Sequence, residues 1–183
     1  MKTLFNIMLA ILAASLLSGL GISSAQREDA AKEVEGIIRQ YYKAMATRDV
    51  AGLRAALDSR FFVVESGRDN AKVHVVDTSK SSDLLPPEGN DDWQNLQISQ
   101  VKVEVSSTHP SVAAASFIVT HPLDAEKITA LEDALKSAPP EFEDSHRKAA
   151  AKLIADRGSN NAELAMLARR DGRWKIVTIS VPD

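Results

Sequence analysis

The sequence predicts an α+β domain: a curved antiparallel sheet wrapped on N-terminal helices, with a helical insertion late in the chain. Three observations carry this expectation. Residues 28–48 repeat apolar side chains at three- and four-residue spacing. Runs rich in Val, Ile and Phe then follow one another through links too short for parallel crossovers. The last two runs are joined by Asp171-Gly172, a dipeptide that suits a type I′ hairpin turn.

Each element follows from its local pattern. In 28–48 the stripe is Val34, Ile37, Ile38, Tyr41 and Met45, with charged residues elsewhere. Thr47–Asp49 breaks it, and "VAGLRAALDS" makes a second short helix with Leu53, Ala56 and Leu57 on one face. "RFFVVES" (60–66) and "AKVHVVDTS" (71–79) read as strands around the turn chemistry of Gly67–Asn70. Residues 80–92, with Pro86-Pro87 and Gly89, read as a loop. "LQISQVKVEVSS" (96–107) is a long strand whose apolar parity switches between Ile98 and Val101. A β-bulge near Ser99-Gln100 restores one inward face. Val112–His121 is the next strand. Helical spacing returns in "LDAEKITALEDALKS" and, past Pro139-Pro140, in "EFEDSHRKAAAKLIADRG", where Phe142, Ala149, Leu153 and Ile154 recur and Gly158 suits the helix end. "AELAMLARR" and "RWKIVTISV" close the chain as a hairpin.

The first 25 residues stand apart. Lys2 is followed by an apolar run from Leu4 to about Leu20 and then by Ser23, Ser24 and Ala25. That is the pattern of a secretory signal peptide cleaved after Ala25, leaving residues 26–183 as one domain in the periplasm or the medium of a bacterium, with no membrane attachment. Loss of Lys2 takes the formal net charge from −3 to −4. A mildly acidic chain without a basic stripe is a poor nucleic-acid binder. It has no cysteine, which excludes disulfides, thiolate nucleophiles and Cys-held metals. At 44% hydrophobic residues it must be held by its core.

Two stretches carry a resemblance. The opening "VEGIIRQYYKAMATRDVAGLRAALDSRFFVVESG", with Arg48-Asp49 stepping to Leu53, resembles the start of NTF2-like domains, especially their SnoaL-like and related bacterial branches. The closing "DGRWKIV" (171–177) resembles their terminal hairpin. Together they cover roughly half of residues 26–183, and the middle agrees in element order. The resemblance implies a cone-shaped NTF2-like/cystatin-like fold with an apolar interior, and it leaves function open, because the superfamily hosts enzymes, assembly domains and binding modules. Residues 123–160 depart from it as a helical insertion where a short turn is usual.

Enzymes of this resemblance, such as ketosteroid isomerases and polyketide cyclases, place carboxylates or His–Asp pairs inside the cone. By strand parity, Glu104 and Glu163 face away from it, Glu65 is undecided, and no acid is placed inside. Catalytic residues are therefore unassigned. The ligand-pocket candidates are Tyr41 on the helix stripe, Phe61 on the first strand, His74 on the second, Trp93 before the long strand and His121 at a strand end. Tyr42 leans to solvent or to the helix–sheet seam. Ala113-Ala114-Ala115 leaves room for a ligand or for a closely packed helix. No histidine spacing suggests a metal, and no phosphate loop or cofactor motif is present. The expected function is non-catalytic binding of a small apolar ligand or a protein partner. The alternatives are a SnoaL-like isomerase, cyclase or hydrolase and a dimerisation or assembly module, with a homodimer expected.

Overall fold

Helix α1 (Ser24–Ala46) buries one stripe, Ala30, Val34, Ile38, Tyr41, Tyr42 and Met45, against the sheet. Its start is a capping box. Ser23 Oγ accepts from the Gln26 amide at 3.2 Å and Gln26 Oε1 accepts from the Ser23 amide at 2.9 Å. The helix thus begins before the cleavage point expected after Ala25. At its other end Arg48 takes a left-handed conformation (φ 54°) and reverses the chain. Asp49 then caps α2 (Val50–Ala56) by accepting from the Gly52 amide at 3.0 Å. This explains the Arg-Asp-x-x-x-Leu step physically: Arg48 turns the chain, Asp49 starts the helix, and Leu53 is fully buried.

The computed structural model describes residues 23–66, 71–85, 93–139 and 144–182. Residues 1–22 of the expected signal peptide, the turn at 67–70, the Pro86-Pro87 and Gly89 part of the loop, and Pro140 and Phe142 lie outside the described residues.

Strand β1 (Leu57–Ser66) begins three residues earlier than its sequence suggests, because Leu57 leaves α2 to pair with Ile176. It is followed by β2 (Ala71–Asp77), a short α3 (Ser81–Leu84) inside the expected loop, β3 (Gln97–Val105) and β4 (Val112–Pro122). Helices α4 (Ala125–Ser137) and α5 (Asp144–Ala155) precede β5 (Gly158–Arg170) and β6 (Arg173–Pro182). The six strands form one sheet in the order β2-β1-β6-β5-β4-β3. All neighbours are antiparallel except β1 and β6, which run parallel. That pair escapes the short-link rule because β1 and β6 are not consecutive. The chain travels to the far edge and returns between them.

Two irregularities keep one face apolar. The β3–β4 register shifts between Ser99 and Lys102, where Gln100 has φ 52°. On β6, Leu167 pairs with Ile176 and Met166 with Thr178, so Val177 is the extra residue. Trp174 and Ile176 before it, and Ile179 and Val181 after it, therefore all face the helices. Asp171 and Gly172 both have positive φ (50° and 78°), as a type I′ turn requires. Opposite α1, Ala113, Ala115 and Ala165 are buried and small, which lets the helix lie close to the strands. Ala113 and Ala115 therefore serve helix packing, while Ala114 faces the other side of the sheet.

The insertion is narrower than 123–160. Residues 158–160 already belong to β5, where they pair with Pro122, His121 and Thr120 at the end of β4. What remains, α4 and α5, packs mainly upon itself, and neither helix has a buried residue.

Candidate functional site

The tilt of α1 against β1, β6 and α3 leaves a cavity of about 340 Å³ on the concave side of the sheet. Its walls are apolar and aromatic: Tyr41, Tyr42 and Met45 from α1, Phe61 and Val63 from β1, Leu84 and Leu85 at α3, Trp93, and Ile179 and Val181 from β6. Such a concave apolar space with few polar groups is the usual form of a small-molecule site.

One of those polar groups is Glu163 on β5. Its residue is only 7% exposed, and it accepts a short hydrogen bond from the Tyr42 hydroxyl. Burial pushes its carboxyl up to about 7, against the opposing effect of the Tyr42 hydrogen bond. Burial likewise pushes the Tyr41 and Tyr42 phenols up, with the Glu163 charge adding to it, so both keep their protons and Tyr42 remains a donor. The rings are locked by packing. Tyr41 and Tyr42 meet edge-on with centroids 4.9 Å apart, and Tyr42 meets Phe117 edge-on at 5.7 Å. A carboxyl that titrates near neutrality and is held by a phenol donor can accept or donate one proton, or seat one polar group of a ligand.

Glu65 and Asp83 also line the cavity. Glu65 Oε2 lies 3.1 Å from His74 Nε2. Among the described residues no group of three or more His, Asp or Glu is placed to hold a metal ion.

With this geometry in view, solved structures supply the comparison. The association domain of C. elegans CaMKII is similar with a TM-score of 0.52 at 10% identity, over 85% of this chain and 96% of that one. The likeness is one of overall fold: helices packed on a curved, mostly antiparallel sheet. Also similar are an NTF2-like protein of unknown function from Pseudomonas putida KT2440 (TM-score 0.48, 13% identity, 88% and 89% covered) and a cystatin-like fold protein from Burkholderia xenovorans LB400 (0.47, 14%, 84% and 91%). No family model matches the chain, and no curated protein matches its sequence. At such identities the likeness does not extend to function, because one fold hosts many chemistries.

Of the residues singled out from sequence, Tyr41, Phe61 and Trp93 line the cavity together. His74 shares the concave parity of its partner Val63 but is exposed, reaching only Glu65. His121 lies outside the cavity. Its ring meets Trp93 edge-on at 6.1 Å and borders a second, more polar depression with Asp124 and Lys127. Tyr42 is buried rather than turned to solvent. Glu163 is the residue that sequence parity misplaced. Leu164 and Met166 look like the inward set, yet they are exposed, and Glu163, Ala165 and Leu167 face the helices. The sequence carries no signal for this choice; it follows only once Ile176 is seen to be buried, because its partner Leu167 is then inward and alternation carries Ala165 and Glu163 with it.

Proposed function

We propose that this chain binds a small, largely apolar molecule in the cavity beneath α1, with one polar group of that ligand seated against Glu163 and Tyr42. The carrying observation is a buried carboxyl with a phenol donor inside aromatic walls. Native mass spectrometry of protein purified from its own host tests it. A co-purified small molecule lost on Phe61→Trp is expected. A ligand-free protein that also binds no member of an apolar fragment library sinks the reading.

A second reading, acid–base catalysis, is favoured by one feature: burial pushes the Glu163 carboxyl up to about 7, where a general base works best. Exchange of the α-protons of a small ketone into D2O, followed by NMR, should then depend on Glu163 and vanish in Glu163→Gln. Equal exchange in both proteins removes the catalytic reading and leaves binding intact.

A homodimer is proposed on a separate feature. On the convex face two cross-strand rows carry no charge across five strands. One runs Val73, Val64, Ser180, Leu164, Ser116, and the other Val75, Phe62, Thr178, Met166, Ala114. Val73 and Val75 are 62% and 73% exposed. On β3 the rows end in Lys102 and Glu104, opposite charges that a two-fold axis can set against each other. Sedimentation should show a dimer that Leu164→Glu dissociates; a wild-type monomer refutes it. Export is proposed from the leader pattern alone, and the N-terminal sequence of protein recovered outside the cytoplasm tests it.

A further inference from the structure

Among the described residues the cavity is lined by carboxyl groups and by no lysine or arginine. Glu163 is sequestered from water, and its hydrogen-bond partner is a neutral phenol. Glu65 and Asp83 line the same space; among the described residues His74 pairs with Glu65 on the exposed side, and Lys72 stands opposite Glu65 in the β1–β2 register without lining the cavity. The walls are ring faces and edges: Tyr41, Tyr42, Phe61 and Trp93. A buried carboxylate without a cation is costly, and its strongest remedy is a counter-charge brought in by the ligand. Aromatic walls stabilise an ammonium through their ring faces and take up an apolar body. An incoming carboxylate meets like charge from Glu163, Glu65 and Asp83.

Resting on the binding reading above, we propose that the ligand is a cationic amphiphile, a primary or substituted amine with an apolar body of about ten to fifteen heavy atoms, whose ammonium pairs with Glu163. The ammonium donates to the Glu163 oxygen lone pairs that the Tyr42 hydroxyl leaves open. Binding is then coupled to protonation. The amine keeps its charge across neutral pH, whereas Glu163, at about 7, gains its charge as pH rises. Among the described residues, the groups around Glu163 are Tyr41 and Tyr42 from α1, Glu65 from β1 and Asp83 from α3, with His74 and Lys72 of β2 beside Glu65 but outside the lining; β6 offers only Ile179 and Val181. None of the cavity's acids or phenols supplies the positive charge that the amine would bring.

Isothermal titration of the purified protein with three isosteric probes, 4-phenylbutylamine, 4-phenylbutan-1-ol and 4-phenylbutyrate, tests this. At pH 8 the amine should bind at least about tenfold more tightly than the alcohol, one pKa unit's worth of charge interaction, and the carboxylate should not bind. Amine affinity should rise about tenfold from pH 6 to pH 8, while the alcohol's stays flat or falls. Glu163→Gln should level amine and alcohol. Alcohol binding as well as amine, or an amine preference that survives Glu163→Gln, overturns the amine assignment and leaves ligand binding standing. Binding of none of the three overturns the amine assignment and counts against the binding reading as well.

Discussion

Tyr42 on α1 donates its hydroxyl proton to Glu163 on β5, across 121 positions of sequence. The bond joins the helix that covers the sheet to a strand beneath it. It also sets the one buried, titrating group among the described residues of the cavity. Its consequences reach stability as well as chemistry.

Glu163 should make the protein less stable as pH rises. Its folded pKa is raised from 4.5 to about 7, so the folded state holds a proton that the unfolded chain releases. That contribution is fully present below about 4.5 and is lost as pH rises through about 7, in total about 3 kcal/mol. Glu163→Gln should therefore match wild type in Tm at pH 4.5 and exceed it at pH 8. Equal Tm differences at both pH values contradict the burial of an ionising group.

Tyr42→Phe keeps the ring and removes the donor. Because the hydrogen bond from Tyr42 lowers the Glu163 pKa, its loss should push that carboxyl above about 7. A carboxyl-carbon NMR titration reads this directly, and an unchanged midpoint refutes the bond.

Asp58 behaves with the opposite sign. Burial raises its pKa, but the Arg60 amide at 2.9 Å, Arg170 Nε at 2.9 Å and Ser59 together outweigh it, so the net shift is below 3.8. Its contribution is present above pH 3.8 and is lost as pH falls through the lowered value. Asp58→Ala should cost about 1–3 kcal/mol at pH 7 in urea denaturation, and less in acid.

Gly158 should not tolerate a side chain. It has φ 149°, and a Cβ there would sit 2.3 Å from the His121 carbonyl oxygen on β4. Gly158→Ala should cost about 2 kcal/mol or more, read as a lowered denaturation midpoint. The helix-end role that sequence suggests for this glycine is therefore incomplete: it is also the first residue of β5, paired with Pro122.

The α4–α5 hairpin should be removable. Its helices bury no residue, and the Leu123 amide donates to the Arg157 carbonyl at 2.8 Å across its base. Replacing residues 124–156 by Asn-Gly should change stability by less than about 2 kcal/mol, checked by thermal melting. Loss of folding would show that the hairpin braces the sheet.

Local chemistry made much of the fold legible. The stripe Val34–Ile38–Tyr41–Met45, the Arg48-Asp49 step, the bulge at Ser99-Gln100 and the turn at Asp171-Gly172 are each decided by residues a few positions apart, and sequence displays such neighbours. The site was legible in part. Tyr41, Phe61 and Trp93 stood out as rings on apolar faces, but a ring's identity does not say which rings meet. His121 has the chemistry of a site residue, yet it lies outside the cavity, at the end of β4 where it borders a second depression.

Sequence by itself determined the element types, the closing hairpin and the absence of thiol chemistry, since these depend on backbone preferences and composition. Only the tertiary structure decided that Glu163 faces inward. Strand β5 has apolar residues on both of its faces, so alternation alone cannot name the buried one. The choice belongs to the packing on the concave face, where Tyr42 of α1 meets Glu163 and where Ala165 and Leu167 are buried, while Leu164 and Met166 lie exposed on the convex face. A carboxyl acquires an unusual pKa from what is packed over it, and that covering comes from 121 residues away.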